Sequence, residues 1–158
     1  MQLLPNQFLL VLIGSGDAWC DLKEKSHQLK LLEKVMFIEK IPFLQLAQYT
    51  RQAHLGLSLD KPNCINHQLS LPNKVFDYIH AGIPVLASDV VEVKKIIDIY
   101  NVGVCINEVT PNKIKDAVLW IYNNQQLYNE WRANTVTASK DLYWENEIQV
   151  LDSYFDLA

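Results

Sequence analysis

Short runs of apolar residues alternate along the chain with longer segments in which apolar and polar residues are mixed at helical spacing. The continuous apolar runs are typical of strands that are buried on both faces of a parallel sheet. They occupy residues 8–13, 35–38 and 85–87, and two further strands are predicted over residues 54–59 and, after a turn, 101–106. The amphipathic segments between them predict helices over residues 21–33, 42–51, 72–81, 92–100 and 110–121.

This alternation predicts an α/β fold, in which helices cover a Rossmann-like, doubly wound parallel sheet with right-handed crossovers. The helical spacing also predicts which side chains face the sheet. In the first two helices these are Leu22, Leu29, Leu32, Phe43, Leu46 and Ala47. Residues 60–69 are polar and rich in turn formers, so we expect a loop there.

The last part of the chain, roughly residues 125–158, is predicted to be a helical extension of a single domain that spans residues 1–158. Its many aromatic residues are expected to be core residues or interface anchors. They are Tyr128, Trp131, Tyr143, Trp144, Tyr154 and Phe155. We expect Trp144 and Glu145 to lie at a bend, and the apolar helix beyond it to support self-association.

The stretch Leu71–Asp89 combines a helix, a tight turn and a buried strand. Pro72 suits the first turn of a helix, and Ser70 lies just upstream, where a capping residue would be. Gly82 is expected to end the helix with a positive φ. The strand at residues 85–87 then follows directly.

The helix in this stretch is predicted to have an apolar face, with Val75, Phe76 and Ile79, and a polar face, with Asn73, Asp77 and His80. A helix N-terminus presents unpaired N–H groups and a positive dipole end, which together bind phosphate groups. Asn73 and Lys74 would hold a diphosphate there. Asp77 would accept hydrogen bonds from hydroxyl groups of the attached sugar, as acidic residues do with ribose. The alternative is an ordinary solvated helix pair between Lys74 and Asp77.

Ligands bind doubly wound sheets at the carboxyl ends of the strands. Several polar or glycine-rich positions fall at these ends or at the helix starts that follow them. They are Gly14, Ser15, Gly16, Ser58, Asn73, Lys74, Ser88 and Asp89. We therefore expect these positions to line one rim of the sheet.

The string LPNKVFDYIHAGIPVLASD, residues 71–89, resembles the donor-binding segment of group 1 glycosyltransferases of the GT-B fold. In that family a phrase similar to LPNK-F-EY-AAG-PV-AS carries the second acid of an E-x7-E motif, and Asp77 matches this acid. The first acid would fall at Leu69 or Ser70, neither of which is acidic. The loop 14–16 resembles the family's VIVGDG loop. The donor-binding residues that the resemblance implies are Gly14, Ser15, Gly16, Ser70, Leu71, Asn73, Lys74 and Asp77.

The resemblance implies the nucleotide-sugar-binding, C-terminal half of such an enzyme, without its first strand and the basic loop that follows that strand. Such glycosyltransferases, here of the hexosyltransferase type, transfer a sugar from a UDP- or GDP-linked donor to an acceptor. They do so with retention of configuration and without a required metal or other cofactor. The acceptor-binding N-terminal domain is expected to be missing, so we expect the isolated chain to be inactive and assign no catalytic residue in it. In relatives the loop 60–69 faces the donor sugar, which makes His67 and Gln68 candidates, with a solvated loop as the alternative.

Two other functions are compatible with parts of the sequence. A non-catalytic module that binds nucleotide sugars or another protein would account for the missing first acid. A dehydrogenase would need a G-x-G-x-x-G loop, but Trp19 stands where the third glycine would follow Gly14 and Gly16. Nucleotide binding that depends on Asp77 would favour the enzyme half, whereas no nucleotide binding at all would favour a scaffold.

Composition narrows the range of functions further. With 158 residues, of which 49% are hydrophobic and 20% charged, the chain is long enough for one well-buried domain. Its net charge of −4 argues against nucleic-acid binding, which requires a basic surface. Cys20, Cys64 and Cys105 form no C-x-x-C pair, and the four histidines are scattered, so we expect neither a disulfide framework nor a metal site.

The apolar run 8–13 is shorter than the ~20 residues that a helix needs to span a bilayer. It is preceded by no basic residue and followed by Gly-Ser-Gly, which is unlike a signal peptide with its cleavage site. We therefore expect a cytoplasmic protein, with a peripheral position at the inner membrane face as the alternative for the full-length enzyme.

Overall fold

The computed structural model describes residues 1–61, 65–146 and 148. Strands and helices alternate within these residues as the apolar pattern predicts. The strands are β1 (Leu10–Ile13), β2 (Val35–Ile38), β3 (Gly56–Ser58), β4 (Val85–Ser88) and β5 (Gly103–Ile106). The helices are α1 (Trp19–Gln28), α2 (Phe43–Gln52), α3 (Ile65–Gln68), α4 (Asn73–His80), α5 (Val91–Tyr100), α6 (Pro111–Asn123) and α7 (Gln125–Asp141).

The strands form two parallel sheets. β1 pairs with β2, with Leu10 opposite Val35, and β3, β4 and β5 pair in that order. No strand pairing joins β1 or β2 to the three-stranded sheet in the part of the chain that the structure describes. The prediction of an α/β fold with parallel strands and covering helices is confirmed.

The central strand β4 is buried on both faces because its side chains alternate between two hydrophobic clusters. Val85 and Ala87 belong to a cluster with residues of α4 and α5, namely Val75, Ile79, Val93 and Ile97. Leu86 points the other way and belongs to a cluster with Ile121 of α6 and Trp131 of α7. Full burial of such an aliphatic side chain contributes roughly 1.5–3 kcal/mol. The apolar run 85–87 therefore holds the helix layers on both sides of the sheet.

The C-terminal end of α4 was predicted correctly, but its N-terminal cap was not. Gly82 has a φ of 77°, and its N–H donates to the carbonyl oxygen of Ile79 at 3.0 Å, so it ends the helix as expected. At the other end, Pro72 occupies the N-cap position itself. The prediction that Ser70 sits at the cap position is therefore wrong. Proline takes this position because its extended backbone, with ψ at 137°, leads directly into the first turn.

Several side chains expected to face the sheet are exposed. Leu22, Leu29 and Leu32 are 44%, 37% and 62% exposed, and the buried residue of α1 is Ser26. Contact between α1 and its sheet is made instead by Trp19, which packs edge-on against Phe37 with ring centres 5.4 Å apart.

In α2, Leu46 and Ala47 are half-buried as predicted, but Phe43 is 67% exposed. Helical spacing correctly identifies residues that share a face, but it does not determine which neighbouring element covers that face.

The segment 60–69 contains the short helix α3 and is not loop throughout. Residues 62–64, including Cys64, lie outside the described residues, as do Tyr154 and Phe155. Near the C-terminus α7 ends at Asp141, and helical residues resume at Trp144. The chain therefore bends at residues 142–143, immediately before Trp144.

Among the aromatic residues predicted as core or interface anchors, Trp131 is buried, which agrees with a core role. Tyr143 and Trp144 are 51% and 64% exposed. Tyr143 at the bend and Trp144 just after it thus present aromatic surface to solvent.

Candidate functional site

Two buried serines stand at the carboxyl ends of adjacent strands. Ser58 ends β3 and Ser88 ends β4, and the Ser88 hydroxyl donates to the Ser58 carbonyl oxygen at 3.3 Å. The Ser58 hydroxyl donates in turn to Oδ2 of Asp60, also at 3.3 Å. This chain of hydrogen bonds fixes the first turn of the loop that follows β3.

Lys74, in the first turn of α4, binds the same carboxylate. Its Nζ lies 3.0 Å from Oδ1 and 2.9 Å from Oδ2 of Asp60. Both side chains are partly exposed, at 38% and 37%. The carboxylate partner of Lys74 is thus Asp60 from the preceding loop, and not Asp77 of its own helix. Ser58, Ser88 and Lys74, three of the positions expected at one rim, are connected through Asp60.

The N-terminus of α4 opens beside this ion pair. The first amides of a helix have no intrahelical acceptor, which makes a helix start a site for anions. In α4 the Val75 N–H donates to the Pro72 carbonyl oxygen at 3.1 Å, so the amides of this kind are those of Asn73 and Lys74. Asn73 is exposed there, Leu71 is 39% exposed and Ser70 is half-buried. The predicted donor-binding residues between positions 70 and 74 therefore surround a single helix start.

Asp77 lies one turn further along α4 and faces α2. It lines a pocket of about 170 Å³ between the two helices. The other lining residues are Phe43, Leu46, Ala47, Thr50, Arg51, His80 and Ala81. Burial raises the pKa of Asp77 above its usual range, and the nearby His80 partly opposes this effect. Asp77 is thus a half-buried carboxylate in a concave setting, and not a fully solvated one.

The loop Gly14-Ser15-Gly16 closes β1 in the other sheet. Gly14 and Gly16 have φ values of 151° and 146°, which L-residues with side chains rarely adopt. The Gly14 N–H donates to the carbonyl oxygen of Ile38, and the Gly16 carbonyl accepts from the N–H of Trp19, both at 3.0 Å. The loop therefore turns tightly from β1 into α1, as its glycines predict.

A second, larger groove of about 560 Å³ follows the carboxyl ends of β4 and β5. It is lined by Asp89, Val104, Cys105, Ile106, Asn107, Lys113, Asp116, Ala117 and Trp120. Burial and the nearby carboxylates of Asp89 and Asp98 raise the pKa of the Cys105 thiol to about 12. At neutral pH this thiol is protonated and is a poor nucleophile. Of these residues the sequence had singled out Asp89, which pairs with Lys94 at 3.0 Å.

The remaining loop candidates, His67 and Gln68, fall in α3. Gln68 is exposed, and the side chain of His67 lies outside the described part. Asp60, which sequence reasoning did not select, is central to the site. Its signal was the same as that of Asp89, an acidic residue just past a buried strand.

Residues 1–61, 65–146 and 148 contain no group of three or more His, Cys, Asp or Glu side chains that could hold a metal ion. Among the same residues no helix is long and apolar enough to cross a membrane.

The sequence profile of the family described as "Glycosyl transferases group 1" matches residues 1–137. The chain belongs to the group 1 glycosyltransferases. No curated protein sequence matches it significantly. The fold of this glycosyltransferase chain is similar to that of several solved enzymes.

WaaG, a glycosyltransferase involved in lipopolysaccharide biosynthesis, matches with a TM-score of 0.74 and 19% identity over 96% of this chain and 40% of its own. Sucrose-phosphate synthase from Thermosynechococcus elongatus matches with a TM-score of 0.75 and 18% identity, over 94% of this chain and 38% of its own. HepE (Alr3699) of Anabaena, solved in complex with UDP, matches with a TM-score of 0.76 and 15% identity, over 99% of this chain and 43% of its own. The α/β fold of the chain therefore matches part of each of these GT-B structures, and the chain spans about two fifths of the length of each.

Proposed function

We propose that this chain binds the nucleotide-sugar donor of a glycosyltransferase that uses a UDP- or GDP-linked sugar. The observation that carries the proposal is the position of Lys74 at the start of α4, where it is linked through Asp60 to the carboxyl ends of β3 and β4. This is the edge at which doubly wound sheets bind ligands. The structure of HepE with bound UDP supports a nucleotide as the ligand.

In this proposal the diphosphate lies at the N-terminus of α4. Its negative charge meets the first-turn amides, the Asn73 side chain and the Lys74 ammonium. When the sugar leaves, charge develops on the diphosphate, and these groups are already in place to stabilise it. The proposal therefore assigns to the helix start and Lys74 the role that a metal ion has in other transferases, and it includes no cofactor.

Asp77 is proposed to accept hydrogen bonds from hydroxyl groups of the donor ribose, with Ser70 and Leu71 lining the same helix start. The position of Asp77 one turn from Asn73 supports this role, because a half-buried carboxylate forms stronger hydrogen bonds than a solvated one. Gly14, Ser15 and Gly16 would approach the donor from the end of β1.

Sugar transfer itself, of the hexosyltransferase type, is proposed to require an acceptor domain in addition to this chain. Orienting two reactants can lower a barrier by about 7–11 kcal/mol, and a chain that holds only the donor does not provide this orientation. We therefore expect no acceptor glycosylation by the 158 residues alone.

Isothermal titration calorimetry with UDP, GDP and their sugars tests the proposal. Lys74→Met should weaken binding of the preferred nucleotide by about ten- to a hundredfold, because a hydrogen bond to a charged group contributes about 1.5–3 kcal/mol. Lys95→Met is the matched control, since Lys95 is an ion-paired lysine of α5 that contacts Glu92 at 2.8 Å. Equal affinities in all three proteins, or no nucleotide binding by the wild type, would refute the proposal.

A non-catalytic nucleotide-sugar-binding module is the second candidate. It is favoured by the absence of an acidic residue at Leu69 or Ser70, where the first acid of the family's motif would fall. Both candidates predict nucleotide binding, and they differ in whether the chain supports sugar transfer once an acceptor-binding domain of the family is supplied. Transfer that is lost with Lys74→Met would identify the enzyme.

A further inference from the structure

The ammonium group of Lys74 is already occupied in the structure. It contacts both carboxylate oxygens of Asp60, at 3.0 and 2.9 Å. Asp60 is itself held by the Ser58 hydroxyl, and the Ser58 carbonyl by the Ser88 hydroxyl. The carboxylate is thus fixed to the ends of two buried strands, whereas Lys74 is attached by a long, flexible side chain.

This arrangement neutralises the cation at the start of α4. A diphosphate that binds there carries at least two negative charges and meets two obstacles. The ammonium must first leave Asp60, and the freed carboxylate then remains beside the incoming anion, where like charges repel. The positive dipole end of α4 attracts the anion, whereas the Asp60 carboxylate repels it, so the affinity of the site depends on the balance of the two effects.

We propose that Asp60 is a positioning residue. It keeps the Lys74 ammonium in an ion pair until a bound nucleoside diphosphate replaces the Asp60 carboxylate as the partner of Lys74. The proposal rests on the proposed function, because it assumes that the diphosphate binds at the α4 N-terminus. Asp60 sets the affinity of the site by holding Lys74 in the empty state and by opposing the anion in the occupied state. Replacing its carboxylate with an amide of the same shape removes both effects.

The test is a double-mutant cycle measured by calorimetry with UDP at fixed ionic strength. It uses the wild type, Asp60→Asn, Lys74→Met and the double variant. Asp60→Asn should bind UDP about three- to tenfold more tightly than the wild type. The gain should be at least threefold smaller in the Lys74→Met background, because no ammonium remains to be released.

Two further variants separate this role from a purely structural one. Asp60→Glu keeps the carboxylate and should bind UDP within about twofold of the wild type. Glu130→Gln removes a hydrogen-bonded carboxylate of α7 that accepts from the Asn101 side chain at 2.8 Å, near the start of β5, and should leave UDP affinity unchanged. A structural role for Asp60 would lower the melting temperature without giving tighter binding.

The outcomes distinguish this inference from the proposed function. If Lys74→Met weakens UDP binding but Asp60→Asn does not strengthen it, the site is correct and the role of Asp60 is wrong. An equal gain from Asp60→Asn in both backgrounds would also overturn the role, because the effect would then be repulsion alone. If none of the proteins binds UDP or GDP, the proposed function and this inference are both wrong.

Discussion

The imidazole Nε2 of His80, at the end of α4, lies 3.1 Å from the carbonyl oxygen of Leu142, just past α7. Because the acceptor is a carbonyl, Nε2 carries the proton and donates. The ring of Tyr143 packs edge-on against the same imidazole, with centres 6.2 Å apart. The C-terminal end of α4 therefore holds the bend after α7 in place through His80, while the other end of the same helix forms the proposed diphosphate site.

His80→Ala should release this anchor. Loss of one hydrogen bond predicts a decrease in unfolding free energy of about 0.5–1.5 kcal/mol, measured by urea denaturation. His27→Ala, an exposed histidine of α1, is the control and should change stability by less than about 0.5 kcal/mol. Equal losses for both variants would show that the contact with Leu142 contributes nothing.

Asp77→Ala should weaken nucleotide binding by roughly ten- to a hundredfold, since a hydrogen bond to a charged group is worth about 1.5–3 kcal/mol. Folding stability should hardly change, because the side chain is only half-buried. Calorimetry and thermal unfolding measure the two effects, with Asp98→Ala on the exposed face of α5 as control. Unchanged affinity, or simple unfolding of the variant, would make Asp77 a structural residue.

The raised pKa of Asp77 gives its contribution a defined pH dependence. Its ionised form is disfavoured in the folded protein, so the stability linked to Asp77 is complete below its unfolded pKa and is lost as pH rises through the folded pKa. Asp77→Asn should therefore gain stability relative to the wild type between acid and neutral pH. Parallel stability curves for the two proteins over this range would contradict the shift, which carboxyl NMR titration measures directly.

Leu86→Ala should destabilise the protein by about 2–5 kcal/mol, because it leaves a cavity in the centre of β4. Leu44→Ala is the control, because Leu44 on α2 is 78% exposed and its truncation leaves no cavity. This variant should lower the free energy of unfolding by less than about 0.5 kcal/mol. Denaturant midpoints at constant slope measure the difference. Similar losses at the two positions would mean that β4 is not the centre of the core.

Deletion of residues 145–158 should reduce self-association, because it removes the apolar surface expected from the residues that follow the exposed Tyr143 and Trp144. Analytical ultracentrifugation of the full and shortened chains measures the change. Trp120→Ala, at a 46% exposed aromatic residue of α6, should leave the oligomeric state as it was. A shortened chain with the same oligomeric state as the full one would count against this surface.

The features that sequence predicted well depend on local signals. The apolar run 85–87 formed a fully buried strand, and Gly82 adopted the positive φ that ends α4. Both follow from the residues themselves and their immediate neighbours. The helix predicted from residue 110 also starts there, because Thr110 caps α6 by accepting a hydrogen bond from the N–H of Lys113 at 3.3 Å.

The features that sequence missed depend on how distant elements pack. Phe43 and Leu32 have the spacing of buried residues, but the sequence does not state whether another element covers them. Helical spacing suggests Asp77, one turn away, as the ion-pair partner of Lys74. The partner in the structure is Asp60, 14 residues upstream, because β3 brings Asp60 to the start of α4. In the same way, it is α2 that desolvates Asp77, which looked like a surface carboxylate.

The separation of β1 and β2 from the three-stranded sheet has a consequence for how the molecule opens. Within the described residues no backbone ladder joins the two sheets, so side-chain packing such as the edge-on contact of Phe8 with Tyr122, 5.3 Å between ring centres, connects them. Proteins open in cooperative units whose boundaries follow such weak junctions. The unit β1–α1–β2 can therefore exchange its amide protons through a partial opening that leaves Ser58, Asp60 and Lys74 in place.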